Sequence, residues 1–197
     1  ATNHFFGHGH WVWMIPIDKE TRTVSFGLVA HREVIEPRTV NTQAKLMAFL
    51  HANHQMLGKL IDSGSTEDFV CWDRPSHLCD QLFGESPWYA IGDAAYFGDP
   101  FYSTGTSTIA VAITSITKII EAKTKGWADA EERRRVYNEA NLNFGKTVGI
   151  HLFRDHPGHM GHASAMSWRI YLEYMWWFGM WVPMFVGKWH LDLDFAK

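Results

Sequence analysis

Residues 92–105, reading Gly-Asp-Ala-Ala-Tyr-Phe-Gly-Asp-Pro-Phe-Tyr-Ser-Thr-Gly, constrain this chain more than any other stretch. They follow a short apolar run, 88–91, expected to be a strand, and they lead into a helical pattern that opens with small residues. Gly92 has no Cβ, so a ligand can approach its backbone closely. Asp93 sets a carboxylate where sugar or ribityl hydroxyls can be accepted. Pro100 fixes a turn ahead of Ser103, Thr104 and Gly105. The first amides of the helix beyond are unpaired donors with the positive dipole end behind them. Such donors hold a phosphate, a halide or the electron-rich edge of a ring. Strand exit, glycine, acid and helix start in this order suit a dinucleotide cofactor. A plain strand–turn–helix junction is the bland alternative.

Composition narrows the class. At 197 residues and 46% hydrophobic, the chain can bury a core and is not disordered. A net charge of -3 gives no electrostatic footprint for nucleic acid. Cys71 and Cys79 are too few for a secreted disulfide scaffold, so a reducing cytoplasm is the expected compartment. Tryptophans are crowded near the end, at Trp176, Trp177, Trp181 and Trp189. The apolar run 175–187 is shorter than the roughly 20 residues a crossing helix takes. Arg169 and Glu173 interrupt it upstream, so a buried or interface-lying helix is expected and a membrane-surface role is disfavoured.

Along the chain, residues 11–17 alternate large side chains, 18–22 are polar, and 23–30 are rich in strand formers, which predicts a β-hairpin. A lone hairpin is marginal, and nothing later supplies enough strands to complete a sheet. Asn41 is expected to cap one helix reaching Ile61, ended by Ser63-Gly64-Ser65. The stretch 67–87 reads as irregular. A helix is expected over 104–125. Another starts at Asp129, whose spacing to Glu132 fits a capping box, and runs to about His156, broken by Pro157-Gly158. A last helix is expected from Ala163 to Pro183. The fold class is α+β, divided as 1–87 (hairpin and helix), 88–126 (cofactor segment) and 127–197 (helical region). Because the chain begins without methionine and runs at once into a strand pattern, a longer parent protein is expected.

The 92–105 segment closely resembles the second FAD-binding motif of flavin-dependent halogenases, within the aromatic-hydroxylase superfamily of FAD monooxygenases. Upstream, Trp11-Val12-Trp13-Met14-Ile15-Pro16 matches the halogenase signature of two tryptophans around one residue, then one residue, isoleucine and proline. The resemblance implies the C-terminal portion of an aromatic-hydroxylase-like FAD fold. It implies an enzyme that uses reduced FAD, oxygen and chloride or bromide to halogenate an electron-rich aromatic substrate. Gly92 and Asp93 would sit on the FAD ribityl and pyrophosphate, and Pro100 would complete the cofactor site by fixing the turn that aims the helix amides. Ser103, Thr104 and Gly105 would lie beside the isoalloxazine ring, with Thr104 and Gly105 framing the halide. Trp11, Trp13 and Pro16 would line the passage from flavin to substrate and exclude water there; a packed strand face is their bland reading. A separate flavin reductase would be the redox partner.

Three departures qualify the match. No Gly-x-Gly-x-x-Gly follows a strand, and Gly7-His8-Gly9 precedes one and lacks the third glycine. The family's catalytic lysine would lie in the same missing N-terminal FAD-binding portion. Tyr102 stands where tryptophan halogenases carry glutamate, which points to phenolic, pyrrolic or carrier-tethered substrates. The histidines at 151, 156, 159 and 162, and at 4, 8 and 10, match no zinc spacing and are read as structural. Two other functions stay open: an FAD-dependent aromatic hydroxylase or reductase for an apolar substrate, and a non-catalytic fragment or subunit packing on a partner.

Overall fold

The structure, a computed structural model, describes residues 2–197, and their side chains except those of residues 149 and 150. Strands β1 (Asn3–Gly7), β2 (His10–Pro16) and β3 (Val24–Ala30) precede helices α1 (Gln43–Asn53) and α2 (Gln55–Asp62). Strands β4 (His77–Leu78) and β5 (Tyr96–Phe97) flank a long loop. Helices α3 (Thr104–Thr124), α4 (Ala130–Lys146), α5 (Leu152–Arg154), α6 (His156–Met160), α7 (Ala163–Trp176), α8 (Val182–Val186) and α9 (Leu193–Ala196) complete the chain. The architecture is α+β, with two small antiparallel sheets and several long helices. Among the described residues no helix is long and apolar enough to cross a membrane. The chain divides into two compact units, one formed by residues up to Arg74 with His156–Trp168, the other by Pro75–Asp155 with Arg169–Lys197.

In the first unit the expected hairpin is there as β2 and β3, but β1 adds a third strand, in the order β1-β2-β3. The missed strand is short and carries two glycines and two histidines around its end, which hide its alternation. Register then sorts the side chains. Phe5, Val12 and Leu28 align across the three strands, as do Met14 and Phe26. This face packs with Leu50 and Leu57 of the helices, and Val12 and Leu50 are almost fully buried. The opposite face carries His4, Trp13 and Gly27 in one row and Phe6, Trp11 and Val29 in the next.

The helix expected from Asn41 to Ile61 is interrupted. Thr42, not Asn41, is the N-cap, its hydroxyl accepting from the Lys45 amide at 3.3 Å. At His54 the backbone leaves the helix (φ -137°, ψ 64°) and α2 begins anew. The break lets the imidazole meet His10, with the two Nε2 atoms 2.8 Å apart. His10 Nδ1 lies 3.0 Å from the His8 carbonyl, which can only accept, so Nδ1 carries the proton. A neutral His10 therefore accepts at Nε2 from the His54 Nε2–H. Gly7 lies opposite His10, and a Cβ there would come within 2.2 Å of the His10 ring. Burial, chiefly, lowers the pKa of both His10 and His54 from the ordinary 6.5. The unfolded chain thus binds protons that the folded one refuses, so stability is full above pH 6.5 and falls as pH drops through the lowered values. Imidazole NMR titration should show both rings titrating below 6.5, and either ring titrating above it would contradict this packing.

The second unit is built on α3 and α4. Ile119, Ala122 and Tyr137 have no exposed surface, and Phe83 joins them from the loop. Asn141 donates to the Ser115 hydroxyl at 3.3 Å across the two helices. The expected strand over 88–91 is absent; an isolated Phe83–Tyr89 bridge stands in its place. Residues 88–90 pair only with 82–84, the Ala90 amide donating to the Leu82 carbonyl at 2.8 Å and the Gly84 amide to the Trp88 carbonyl at 3.0 Å. The 82–83 segment turns its other backbone groups to α4. The amides of Leu82 and Phe83 both donate to Asn138 Oδ1, at 2.9 and 2.8 Å, and Arg134 donates to the Phe83 carbonyl at 2.8 Å. Residues 77–78 and 96–97, not anticipated as strands, pair instead.

Two helix readings also change. Asp129 makes no capping bond and pairs with Arg133 at 2.6 Å. Neither Pro157 nor Pro183 ends a helix, because each lies in the first turn of one (α6 and α8), where no amide donor is required. The breaks come elsewhere, at Asp155 (φ -98°, ψ 2°) and in π-helical turns at Thr147–His151 and Trp177–Trp181. Because Asn138 is the acceptor for two loop amides, Asn138→Ala should destabilise the protein by about 1–3 kcal/mol in urea titration. Asn138→Asp, which keeps the acceptor, should recover most of that loss.

Candidate functional site

The cofactor segment lies wholly within the second unit. Gly92 opens a 3-10 turn, Gly92–Ala94, with φ +58°, a conformation natural to glycine. A Cβ at Gly92 would lie 3.3 Å from Ile109 Cδ1 on α3, so the turn rests directly on that helix. Beneath it is a cavity of about 20 Å³, the size of a single water. Asp93 is exposed, and its carbonyl lies 2.8 Å from His77 Nε2. The Phe101 amide donates to Asp99 Oδ1 at 2.8 Å, and the Ser103 amide to the Pro100 carbonyl at 3.1 Å.

The chain enters α3 through two left-handed residues in succession, Tyr102 (φ 66°) and Ser103 (φ 56°). Each conformation costs about 1–2 kcal/mol for a residue with a Cβ. The result is a helix start with no side-chain cap, although Ser103 is of the capping type. Thr104 is buried, and a Cβ at Gly105 would meet nothing within 4 Å. Gly105 is therefore not required by packing.

Tyr102 packs on Phe101, with ring centroids 4.0 Å apart, and on Phe153 at 6.0 Å. Burial pushes its phenol well above the ordinary range, with nearby Glu173 adding to the effect and Arg169 opposing it. Arg169 and Glu173 form an ion pair at 2.7 Å, and Arg169 also donates to the Leu152 carbonyl at 2.7 Å. The Glu173 carboxyl is raised by burial and lowered by Arg169.

A cavity of about 380 Å³ opens beside this entrance. Tyr102, Ser103, Thr106 and Ser107 line it from the start of α3, with Trp177 and Trp181 from the π-helical turn. Sequence reading takes those tryptophans as part of a buried or interface-lying helix that could also suit an apolar substrate pocket, without placing them beside residues 92–105. The signal that could have found them is the four-residue spacing of Trp177, Trp181 and Phe185, which stacks rings along one face.

Trp11, Trp13 and Pro16 lie on β2 in the first unit. Trp11 is buried, Trp13 half-buried and Pro16 exposed. The two indoles touch at 5.6 Å between centroids, and the Trp13 N–H donates to Ser25 Oγ at 3.1 Å. A Cβ at Gly27 would fall 1.8 Å from the Trp13 ring, so the indole lies flat over that glycine. Among the described residues, no three His, Cys, Asp or Glu side chains converge as a metal set.

No family model matches the chain. Over 190 residues it is 40% identical to the flavin-dependent halogenase chlA of Dictyostelium discoideum, an alignment covering 96% of this chain. By this alignment the chain is a homologue of a flavin-dependent halogenase over nearly its whole length. It spans about a third of the length of that relative, 32%.

This halogenase homologue therefore presents an uncapped, strained helix start between a glycine turn and an aromatic cavity. The strain is testable. Ser103→Val places a β-branched residue at φ 56° and should cost about 1–2 kcal/mol in thermal unfolding relative to Ser103→Gly. Equal stability of the two variants would mean that the left-handed entry is not held in solution.

Proposed function

We propose that the protein acts as an FADH2-dependent halogenase that uses oxygen and chloride or bromide to halogenate an electron-rich aromatic substrate. The observation that carries this reading is the 40% identity to a flavin-dependent halogenase across nearly the whole chain. The fit to FAD rests on the chain's own residues: a glycine turn at positive φ seated on α3, an exposed acid beside it, and an uncapped helix start. We read the fold as part of an aromatic-hydroxylase-like FAD architecture, with 88–126 as its flavin segment. The glycine fingerprint and catalytic lysine would belong to a longer protein, in keeping with the share of the relative that is aligned. Both cysteines are free thiols, in keeping with a cytoplasmic setting.

Bound FAD, reduced by a separate reductase, would supply the redox chemistry that oxidises the halide. Gly92 would admit the cofactor to the backbone, and Asp93 would accept from ribityl hydroxyls. The first amides of α3, at Thr104 and Gly105, would hold an anion such as the halide against the dipole. Pro100 and the left-handed pair Tyr102–Ser103 would aim those amides. The Tyr102 phenol would stay protonated and so leave the halide site without a competing negative charge. Trp11, Trp13 and Pro16 would furnish an apolar, water-excluding strand toward the substrate.

The test is incubation of the full-length gene product with reduced FAD, oxygen, bromide and a phenol trap. A brominated product that requires bromide is expected; a hydroxylated product formed equally without halide would instead mean an aromatic hydroxylase. Asp93→Ala should weaken flavin binding while leaving the circular dichroism spectrum unchanged. Unaltered flavin affinity would remove Asp93 from the site.

A further inference from the structure

The 380 Å³ cavity has a wall that the flavin reading does not use. Trp177 and Trp181 stack at 4.4 Å and 10°, Trp181 and Phe185 at 5.1 Å and 8°, and Phe185 and His190 at 5.5 Å and 11°. Four near-parallel rings thus form a ladder that is anchored at its far end, where His190 Nε2 lies 2.8 Å from the Thr114 hydroxyl. Trp177 is the ladder's other end, and it faces the cavity. A π-helical turn at Trp177–Trp181 supplies the extra residue that changes the facing of this stretch of helix.

The remaining lining fixes the ligand's chemistry. None of the lining side chains is charged, which disfavours a nucleotide phosphate or a carboxylate. Ser103, Thr106 and Ser107 offer hydroxyls along the α3 side of the lining. The Trp181 indole N–H is buried and has no hydrogen-bond partner among the described residues, so Trp181 meets the cavity as an apolar ring. The volume suits one small molecule.

We propose that Trp177 and Trp181 are the aromatic-recognition wall of a binding site for an uncharged phenolic ring, which stacks on Trp177 as the next ring of the ladder and hydrogen-bonds to the α3 hydroxyls. Its assignment as the substrate site rests on the halogenase reading. The binding chemistry itself does not.

The test is calorimetric titration of the intact protein with 2-naphthol and, separately, with riboflavin, whose ring is the other planar source. 2-Naphthol should bind. Trp177→Leu should weaken it roughly 3- to 10-fold, the range of an aromatic stacking contact, and Trp177→Phe should restore most of the loss. Should Trp177→Leu fail to fold, Thr106→Trp, at an exposed position on the cavity lining, should block naphthol while Thr106→Ser does not. No naphthol binding, or an affinity indifferent to both Trp177→Leu and Thr106→Trp, overturns the site. Dependence on Trp177 for riboflavin but not for naphthol overturns the phenol in favour of the flavin. The halogenase reading fails separately, by lack of halide-dependent product, whichever way naphthol behaves.

Discussion

The entry into α3 governs what the second unit can present. Two left-handed residues turn the chain sharply, and the helix that follows is held along its length by α4 and by the C-terminal segment. Ile119 and Ala122 are fully buried against α4, Ser115 meets Asn141, and Thr114 meets His190. With the helix so fixed, its first turn cannot drift to relieve Tyr102 and Ser103. Local strain of about 1–2 kcal/mol per residue is small beside the burial of such a helix, so the fold tolerates it. What persists is a helix end whose amides stay uncapped, between the Gly92 turn and the aromatic cavity.

The same logic explains how much was legible in the sequence. The body of α3 was expected over 104–125 and is found at Thr104–Thr124, because small and β-branched residues at packing positions followed an obvious turn. The β2–β3 hairpin was equally plain from alternation. What failed was everything decided by distant partners. Residues 88–91 look like a strand, yet they meet only the short segment 82–84, whose remaining backbone groups are taken by Asn138 and Arg134 some fifty residues away. His54 looks like one more helical residue, yet His10 draws it out of the helix. The prolines misled for a different reason: Pro157 and Pro183 were read as stops when their positions make them starts.

Of the candidate site, the sequence carried the segment 92–105 as a unit but not the surface beside it. Glycine turn, Pro100 and helix start are local in sequence, and local pattern suffices to find them. The cavity joins the start of α3 to tryptophans more than seventy residues later, and no periodicity within either segment reports that meeting. The spacing of Trp177, Trp181 and Phe185 reports their stacking on one another, but not which distant element that face meets.

Two charged side chains close to the start of α3 are paired with each other. Arg169 and Glu173 neutralise each other close to Tyr102, and the phenol itself is held protonated by burial. No charged side chain lines the cavity, so a ligand of the kind proposed for it would be selected by ring stacking and hydroxyl geometry. The first turn of α3, which forms one side of the cavity, adds the partial positive potential of a helix N-terminus that no side chain caps. On the proposed reading the flavin ring and the phenolic ligand would both lie against Ser103, so their sites would adjoin at one helix entrance. If the protein halogenates as proposed, that adjacency is what the left-handed entry at Tyr102 and Ser103 would contribute to the reaction.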